Sequence, residues 1–434
     1  MPRKKQSFDL YVYMNGIRVG VLVRESTGLL SFSYDKDWLT SKKARPISLS
    51  MPLTEVPYKG HVVDCYFDNL LPDSDAIRKR IQARFNVSSN NCFDLLSYIG
   101  ADCIGALQLL TQPSVTNVKK IQTTPLNDRA IAKLLKHYQS APLGMDPKND
   151  FRLSIAGAQE KTALLWHENK WFLPKGATPT SHIIKLPIGK IQHAGIDLSE
   201  SVENEWLCLK ILSAYQLPVA DARMINFDDV KTLVVERFDR RWSSNGKWLM
   251  RLPQEDMCQA LGVSSGLKYE SDGGPGMRPI MNILLGSKEA IDDREKFMKS
   301  VFIFWVMGAI DGHAKNFSIS IEPQGRYQLT PLYDVMSAYP LADKRELEWK
   351  KLKMAMSLKG KNRHYLWGHI QKRHWFDMAK QCQFSDESMQ LIIDDVFEHM
   401  DSVIEQVSSQ LPKNFPLQMS ESIFAGMRKV KERF

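Results

Sequence analysis

Residues 301–310, Val-Phe-Ile-Phe-Trp-Val-Met-Gly-Ala-Ile, run straight into Asp311-Gly-His-Ala-Lys-Asn316, which runs straight into the alternating Phe317, Ile319 and Ile321. A continuous apolar run has to be buried whatever its conformation, and an alternating one half-buries itself as a strand. An acid and an amide five residues apart are therefore confined to a short loop clamped by buried elements on both sides, the kind of place where polar side chains act from a rigid support. The alternation resumes after Glu322-Pro-Gln-Gly325 at Tyr327 and Leu329, so the two stretches read as a hairpin that returns Asp334 to the neighbourhood of Asn316.

Phosphoryl transfer by a protein kinase uses such a set: a carboxylate that orients the attacking hydroxyl and accepts its proton, with an amide and a second carboxylate on Mg²⁺. Asp-x-x-x-x-Asn is the spacing of the kinase catalytic loop, and Asp334 stands where the metal-binding aspartate after a hairpin stands. On spacing alone, an aspartate that caps a turn and an asparagine that bonds backbone account for the pair equally well.

With 434 residues the chain is long enough for two or three domains, and its 43% hydrophobic and 25% charged content is that of a soluble globular protein. The six cysteines form no Cys-x-x-Cys pair, which argues against a zinc ribbon and a disulfide framework and points to a reducing cytoplasm. The charged start, Met-Pro-Arg-Lys-Lys, leads into alternating Leu10, Val12 and Met14, so no signal peptide is expected. The run 301–310 is too short to span a bilayer, and no membrane partner is expected. A formal charge of +9 leaves nucleic acid or another anionic partner open.

Residues 8–35 alternate around Asn15-Gly16 and Thr27-Gly28 and predict a small antiparallel sheet. Helices are predicted over 71–86 and after Asn127-Asp128. The polar, proline-bounded stretch 111–125 between them marks a domain boundary. From Phe151 the pattern is strand, turn, strand, with Ala156-Gly-Ala-Gln-Glu160 as the turn and Lys161-Thr162 after it. This looks like a clipped Walker sequence, and its backbone N–H groups suit phosphate as well as they suit a plain turn.

Lys185 sits inside an apolar strand, where a lysine needs an anionic partner or an exposed edge. Glu205 lies on an otherwise inward face of the helix that begins near Ser199, and a Lys185–Glu205 ion pair would solve both burial problems in the way kinases do. Residues 231–239, a β-branched strand ending in Glu236-Arg-Phe238-Asp239, suit a hinge whose backbone reads the adenine edge while Phe238 packs on the ring, or else a core strand that ends in a turn.

Beyond a flexible loop at 271–276 the sequence reads as helical almost to its end, with an unbroken apolar stripe from Met389 to Leu411, and no strand is expected after Leu332. Between 344 and 374 ten Lys or Arg stand against two acids, with Trp349, Tyr365, Trp367 and Trp375 interleaved. Such a patch suits phosphate-backbone contact by Lys350, Lys351, Lys353, Lys359, Lys361 and Arg363, or is a solvated face.

The assembled pieces resemble the HipA family, the serine/threonine kinase toxins of bacterial toxin–antitoxin modules. The resemblance rests on Phe-Asp-Asn-Leu-Leu-Pro-Asp (67–73), Ser-Ile-Ala-Gly-Ala-Gln-Glu-Lys-Thr (154–162), His-Ile-Ile-Lys-Leu-Pro (182–187) and Val-Glu-Arg-Phe-Asp-Arg-Arg (235–241). It continues through Leu-Pro-Gln-Glu-Asp-Met (252–257), Tyr-Glu-Ser-Asp-Gly-Gly-Pro-Gly (269–276), Asp-Gly-His-Ala-Lys-Asn (311–316) and Thr-Pro-Leu-Tyr-Asp (330–334). It implies an α+β, two-lobed, protein-kinase-like fold: a β-rich N-terminal subdomain that couples to the antitoxin (1–115), a kinase N-lobe with phosphate loop and hinge (116–240) and an all-α C-lobe with the catalytic and metal-binding loops (241–434).

By the same resemblance Asp311 is the catalytic aspartate, and Asn316 and Asp334 hold Mg²⁺. The turn Ala156, Gly157, Ala158, Gln159, Glu160 and Lys161 covers the ATP phosphates that Lys185 contacts, with Glu236, Phe238, His313 and Asn316 also at the nucleotide. Ser154 falls on the family's autophosphorylated serine. The implied partners are a small DNA-binding antitoxin dimer (HipB-like), operator DNA through the complex, and a protein substrate that in relatives is glutamyl-tRNA synthetase. Two other readings remain at this point: a catalytically silent co-repressor bound to DNA, and a kinase for a lipid or small metabolite.

Overall fold

The computed structural model describes residues 8–113, 117–136, 155, 159, 161–192 and 195–434. The chain forms two compact units, one of Met1–Leu186, Ile225–Gly266 and Ile319–Tyr327, the other of Pro187–Met224, Leu267–Ser318 and Gln328–Phe434. Among the described residues no helix is long and apolar enough to cross a membrane.

The first unit begins with the predicted sheet. Strands Phe8–Met14 and Ile17–Arg24 pair antiparallel across Asn15-Gly16. Both turn residues have positive φ, 49° and 81°, the conformation that matches a two-residue hairpin to the twist of its strands. Leu30–Tyr34, Tyr58–Lys59 and Leu107–Leu110 complete five strands, and the inward residues Leu10, Val12, Leu22 and Phe32 pack on helices His61–Asp68 and Cys92–Ile99.

A six-stranded sheet follows, in the order Ala222–Phe227, Val230–Glu236, His182–Lys185, Lys161–His167, Lys170–Pro174, Thr123–Leu126. Its centre is antiparallel, with Lys185 opposite Lys161 on one side and Leu233 on the other.

Between these sheets lies an ionic core. Asp102 Oδ1 accepts from Arg240 and Arg251, each at 2.9 Å, and its Oδ2 from the Thr180 hydroxyl at 2.8 Å. Asp239 accepts from Arg237 and from the Gly105 N–H at 2.7 Å. Burial alone pushes Asp102 upward, but the guanidinium groups of Arg240, Arg251 and Arg237 more than reverse it and hold the carboxylate far below its usual range. Charge of this kind is tolerated only while every partner is present, since removing one strands the others without water.

Glu255, in the strand Gln254–Asp256, has the opposite environment. It is fully buried, Oε1 accepts the Leu49 N–H at 2.8 Å, and burial pushes its carboxyl up to about 8.

In the second unit the apolar run forms the end of helix Ala290–Val306, with Phe297, Phe302, Ile303 and Trp305 fully buried. Helices Lys372–Gln381, Asp386–Glu398, Met400–Ser409 and Leu417–Arg433 surround it. Trp305 and Trp367 donate their indole N–H groups to each other's carbonyls, at 3.2 and 2.8 Å.

Two expectations need correction here. The stripe from Met389 to Leu411 is two helices, because the chain turns at His399, whose ring also bonds the Asp395 carbonyl at 2.9 Å. The C-terminal part is also not all-α, since Lys353–Lys359 and Arg363–Leu366 pair as an antiparallel hairpin. Met354, Ala355, Met356, Ser357 and Leu358 are all buried, so the strand has neither alternation nor β-branched residues to announce it. It forms because its backbone is taken up by neighbours, not by propensity.

Asp102→Asn is expected to lower stability by about 3 kcal/mol or more, read as a fall in the first unfolding midpoint; an unchanged midpoint would mean the arginines find other acceptors. For Glu255 the folded value lies above the ordinary 4.5, so the native state holds a proton that the unfolded chain releases, and stability falls as pH rises from about 4.5 through about 8. Glu255→Gln keeps the acceptor for Leu49 and is expected to flatten that fall in thermal melts between pH 5 and 9.

Candidate functional site

Helix Ala290–Val306 ends at Gly308, whose φ is 64°. The Ala309 N–H reaches back to the Phe304 carbonyl at 2.7 Å, which closes the helix in the way a left-handed glycine allows. Beyond it the Ile310 carbonyl accepts the Ala355 N–H at 2.8 Å. Asp311 follows. Its carbonyl accepts the His313 N–H at 2.8 Å and starts the tight turn Ala314–Asn316.

Asn316 closes this turn and ties it to the returning strand. Its Oδ1 accepts the His313 N–H at 3.1 Å, and its Nδ2 donates to the Asp334 carbonyl at 3.2 Å. The Tyr333 hydroxyl donates to the Lys315 carbonyl at 2.9 Å, and the Thr330 N–H to the Ser318 carbonyl at 2.9 Å. The hairpin of Ser318–Ile321 and Tyr327–Leu329 thus brings Asp334 back beside Asn316, as the alternation predicts. Asp334 has φ 61°. A non-glycine residue held in the left-handed region stores strain, and such residues collect where a side chain has to be aimed.

Asp311 keeps solvent-accessible surface, yet protein crowds its carboxyl. Burial raises its pKa, the Tyr269 hydroxyl and the Lys268 ammonium oppose that rise, and the charge of Asp334 adds to it. The Tyr269 hydroxyl donates to Asp311 Oδ1 at 2.8 Å. Asp311, His313, Asn316 and Asp334 therefore form one group in the second unit, with His313 and Asn316 buried, Asp334 half-buried and Asp311 exposed. The set provides a carboxylate with raised proton affinity, plus an amide oxygen and a second carboxylate on adjoining segments. The latter two are hard oxygen donors of the kind that hold Mg²⁺.

The remaining sequence-derived residues fall elsewhere. Lys161 and Lys185 are directly opposite each other in the first unit, Lys185 buried at the end of the central strand. Gln159 donates to the Leu186 carbonyl at 2.6 Å. Glu236 is exposed at the end of its strand, opposite His182, and Phe238 is half-buried just beyond. Ser154, Ala156, Gly157, Ala158 and Glu160 lie outside the described residues. Glu205 is buried in helix Ser201–Ala214 of the second unit, whose residues are buried nearly all the way round rather than on one face.

In the basic region Lys350, Lys351, Lys353, Lys361 and Arg363 are exposed and Lys359 is half-buried. Trp367 and Trp375 belong to the core, so those aromatics are packing rather than stacking platforms. Tyr269 stands in the sequence only as the first residue of the motif 269–276, with no role of its own, because its link to Asp311 crosses 42 positions of sequence.

Residues 10–110 match the family model described as HipA N-terminal domain, and residues 153–404 the model described as HipA-like C-terminal domain. The chain belongs to the HipA family. Among similar proteins, Y4mE of Sinorhizobium fredii, named as a kinase, is 34% identical over 338 residues, covering 76% of this chain and 78% of that protein. The serine/threonine-protein kinase toxin HipA of Shewanella oneidensis is 27% identical over 346 residues, with 76% of each covered. The Shewanella oneidensis HipA of a complex with HipB and operator DNA has the same fold, with a TM-score of 0.81, 21% identity and coverage of 98% of this chain and 97% of that one. The expected mixed α+β, HipA-like fold is borne out.

Proposed function

We propose that this protein is the toxin of a toxin–antitoxin module, an ATP- and Mg²⁺-dependent kinase that phosphorylates serine or threonine of a protein involved in translation, with glutamyl-tRNA synthetase as the first candidate. The observation that carries the reading is the grouping of Asp311, Asn316 and Asp334, with Asn316 bonded to the Asp334 backbone at 3.2 Å. The names of the relatives agree with it: one is a serine/threonine-protein kinase toxin.

In this reading Asp311 orients the substrate hydroxyl and accepts its proton. Asn316 Oδ1 and the Asp334 carboxylate would hold Mg²⁺, which when bound neutralises phosphate charge. Lys161 and Lys185 stand directly opposite each other on neighbouring strands, and in this reading both serve the nucleotide phosphates. Gln159, whose side chain donates to the Leu186 carbonyl, belongs to the segment proposed to cover the phosphates, Glu236 and Phe238 flank the base, and His313 stands with Asn316 at the nucleotide. Glu205 is the acid proposed to pair with Lys185, and Ser154 the site of autophosphorylation.

The functional segments remain those of the sequence: 1–115 for antitoxin coupling, 116–240 for nucleotide, 241–434 for catalysis. The protein is proposed to act in the cytoplasm, in keeping with six free, buried cysteines. A HipB-like dimer and operator DNA are the proposed partners, the solved relative being a complex of those components.

Asp311→Asn is expected to reduce transfer of label from [γ-³²P]ATP to protein by about 100-fold or more, with the unfolding midpoint unchanged. Equal labelling by the variant would remove Asp311 from the chemistry and favour the silent co-repressor. Label on small alcohols or lipids but on no protein would favour the metabolite kinase. Because Asp311 acts ionised and burial raises its pKa, the rate is expected to climb with pH through a midpoint above the ordinary aspartate value of about 3.9. For the basic hairpin, replacing Lys350, Lys351, Lys353 and Lys361 by alanine is expected to weaken operator binding by the antitoxin complex equally for all sequences and to shrink its salt slope by about 0.9 per lost contact. An unaltered slope would leave those lysines as plain surface.

A further inference from the structure

Residues 268–276 have no role in the mechanism above, yet they brace the segment that carries Asp311. The Lys268 carbonyl accepts the Ala314 N–H at 3.4 Å, and the Tyr269 hydroxyl donates to Asp311 Oδ1 at 2.8 Å. The Tyr269 ring also meets the His313 ring edge-on, with centroids 5.1 Å apart and planes at 82°.

The next residue anchors the tyrosine from the other side. The Glu270 carboxylate accepts both the N–H and the hydroxyl of Ser357, at 2.6 and 3.0 Å, on strand Lys353–Lys359. That strand also donates the Ala355 N–H to the Ile310 carbonyl at 2.8 Å. One strand therefore grips the residue before the acid and the residue after the tyrosine, so hydroxyl and carboxylate are registered to a common support.

The turn beyond Glu270 is built to allow this. A Cβ at Gly274 would lie 1.8 Å from the Leu267 carbonyl oxygen, and one at Gly276 would lie 2.5–2.8 Å from the Glu270 carboxyl atoms. The stretch 271–276 is thus organised around Glu270 and is not the loose loop its composition suggests.

A carboxylate that acts as a base has to present one oxygen to the hydroxyl in a defined plane, and free rotation about its side chain dilutes that geometry. A hydrogen bond to Oδ1 from a braced phenol fixes the plane in which Oδ2 lies. We propose that Tyr269, anchored through Glu270 to strand Lys353–Lys359, is a positioning residue for phosphoryl transfer: its hydroxyl holds the Asp311 carboxylate so that the other oxygen faces the attacking hydroxyl. This rests on Asp311 being the base, as proposed above.

The test compares the full-length protein with Tyr269→Phe, Glu270→Gln and Asp311→Asn, measuring autophosphorylation from [γ-³²P]ATP across ATP concentrations and determining a crystal structure of Tyr269→Phe. Tyr269→Phe keeps the ring against His313 and removes the hydroxyl alone. The expected result is a maximal rate about tenfold lower, an unchanged half-saturating ATP concentration, and an Asp311 carboxylate rotated from its wild-type plane. Glu270→Gln is expected to lose rate in the same manner but less. A wild-type rate in Tyr269→Phe with Asp311→Asn dead, or an unrotated carboxylate, overturns the positioning role while leaving the base intact. Loss of rate in step with loss of ATP affinity overturns it in favour of a nucleotide contact. Wild-type labelling by Asp311→Asn overturns the base, and the positioning role with it.

Discussion

The Asn316 carboxamide holds together the segment that carries Asp311. It accepts from His313 with its oxygen and donates to the Asp334 backbone with its nitrogen, so one side chain closes the turn after Asp311 and sets the distance to the returning strand. Asparagine is suited to this because its oxygen has two lone pairs, and one remains for a cation after the first is spent on a backbone N–H. An aspartate there would lack the donor that reaches Asp334. A hydrophobic residue would leave both backbone groups without this partner in a buried place. The chemistry proposed for the site and the local stability of the turn thus depend on the same group.

The two units arrange their charges in two different ways. The arginines of the first unit, Arg237, Arg240 and Arg251, surround Asp102 and Asp239 in a buried cluster. Such a cluster specifies how its elements meet more than it adds stability. At Asp311 the balance is less complete. Burial raises its proton affinity against the pull of Tyr269 and Lys268, which suits a group that has to take a proton.

Much of this was legible in the residues. Asn15-Gly16 announces its hairpin because only a few residue types accept two positive φ values in a row, and the continuous apolar run into Asp311 announces burial on the side from which the chain enters the loop. The hairpin of Lys353–Lys359 and Arg363–Leu366 was not legible. Its strand is rich in methionine, alanine and leucine, which favour helix, and Ile310 and Glu270, distant in sequence, decide its conformation. The division at His399 was hidden because both helices bury the same kind of face. Tyr269 escaped for the same reason as the strand. Local pattern reports periodicity, whereas a phenol placed on a carboxylate 42 positions away depends on the completed fold.

The central claim is that Asp311, Asn316 and Asp334 form one phosphoryl-transfer site. A crystal structure of the protein with Mg²⁺ and a nonhydrolysable ATP analogue tests it most directly. The account predicts a divalent ion bound by Asn316 Oδ1 and the Asp334 carboxylate at about 2.0–2.1 Å, bridging the phosphates, with Asp311 free of the metal and facing the terminal phosphoryl group. A nucleotide bound without those two ligands, or an ion held by other residues while Asp334 turns away, would contradict it.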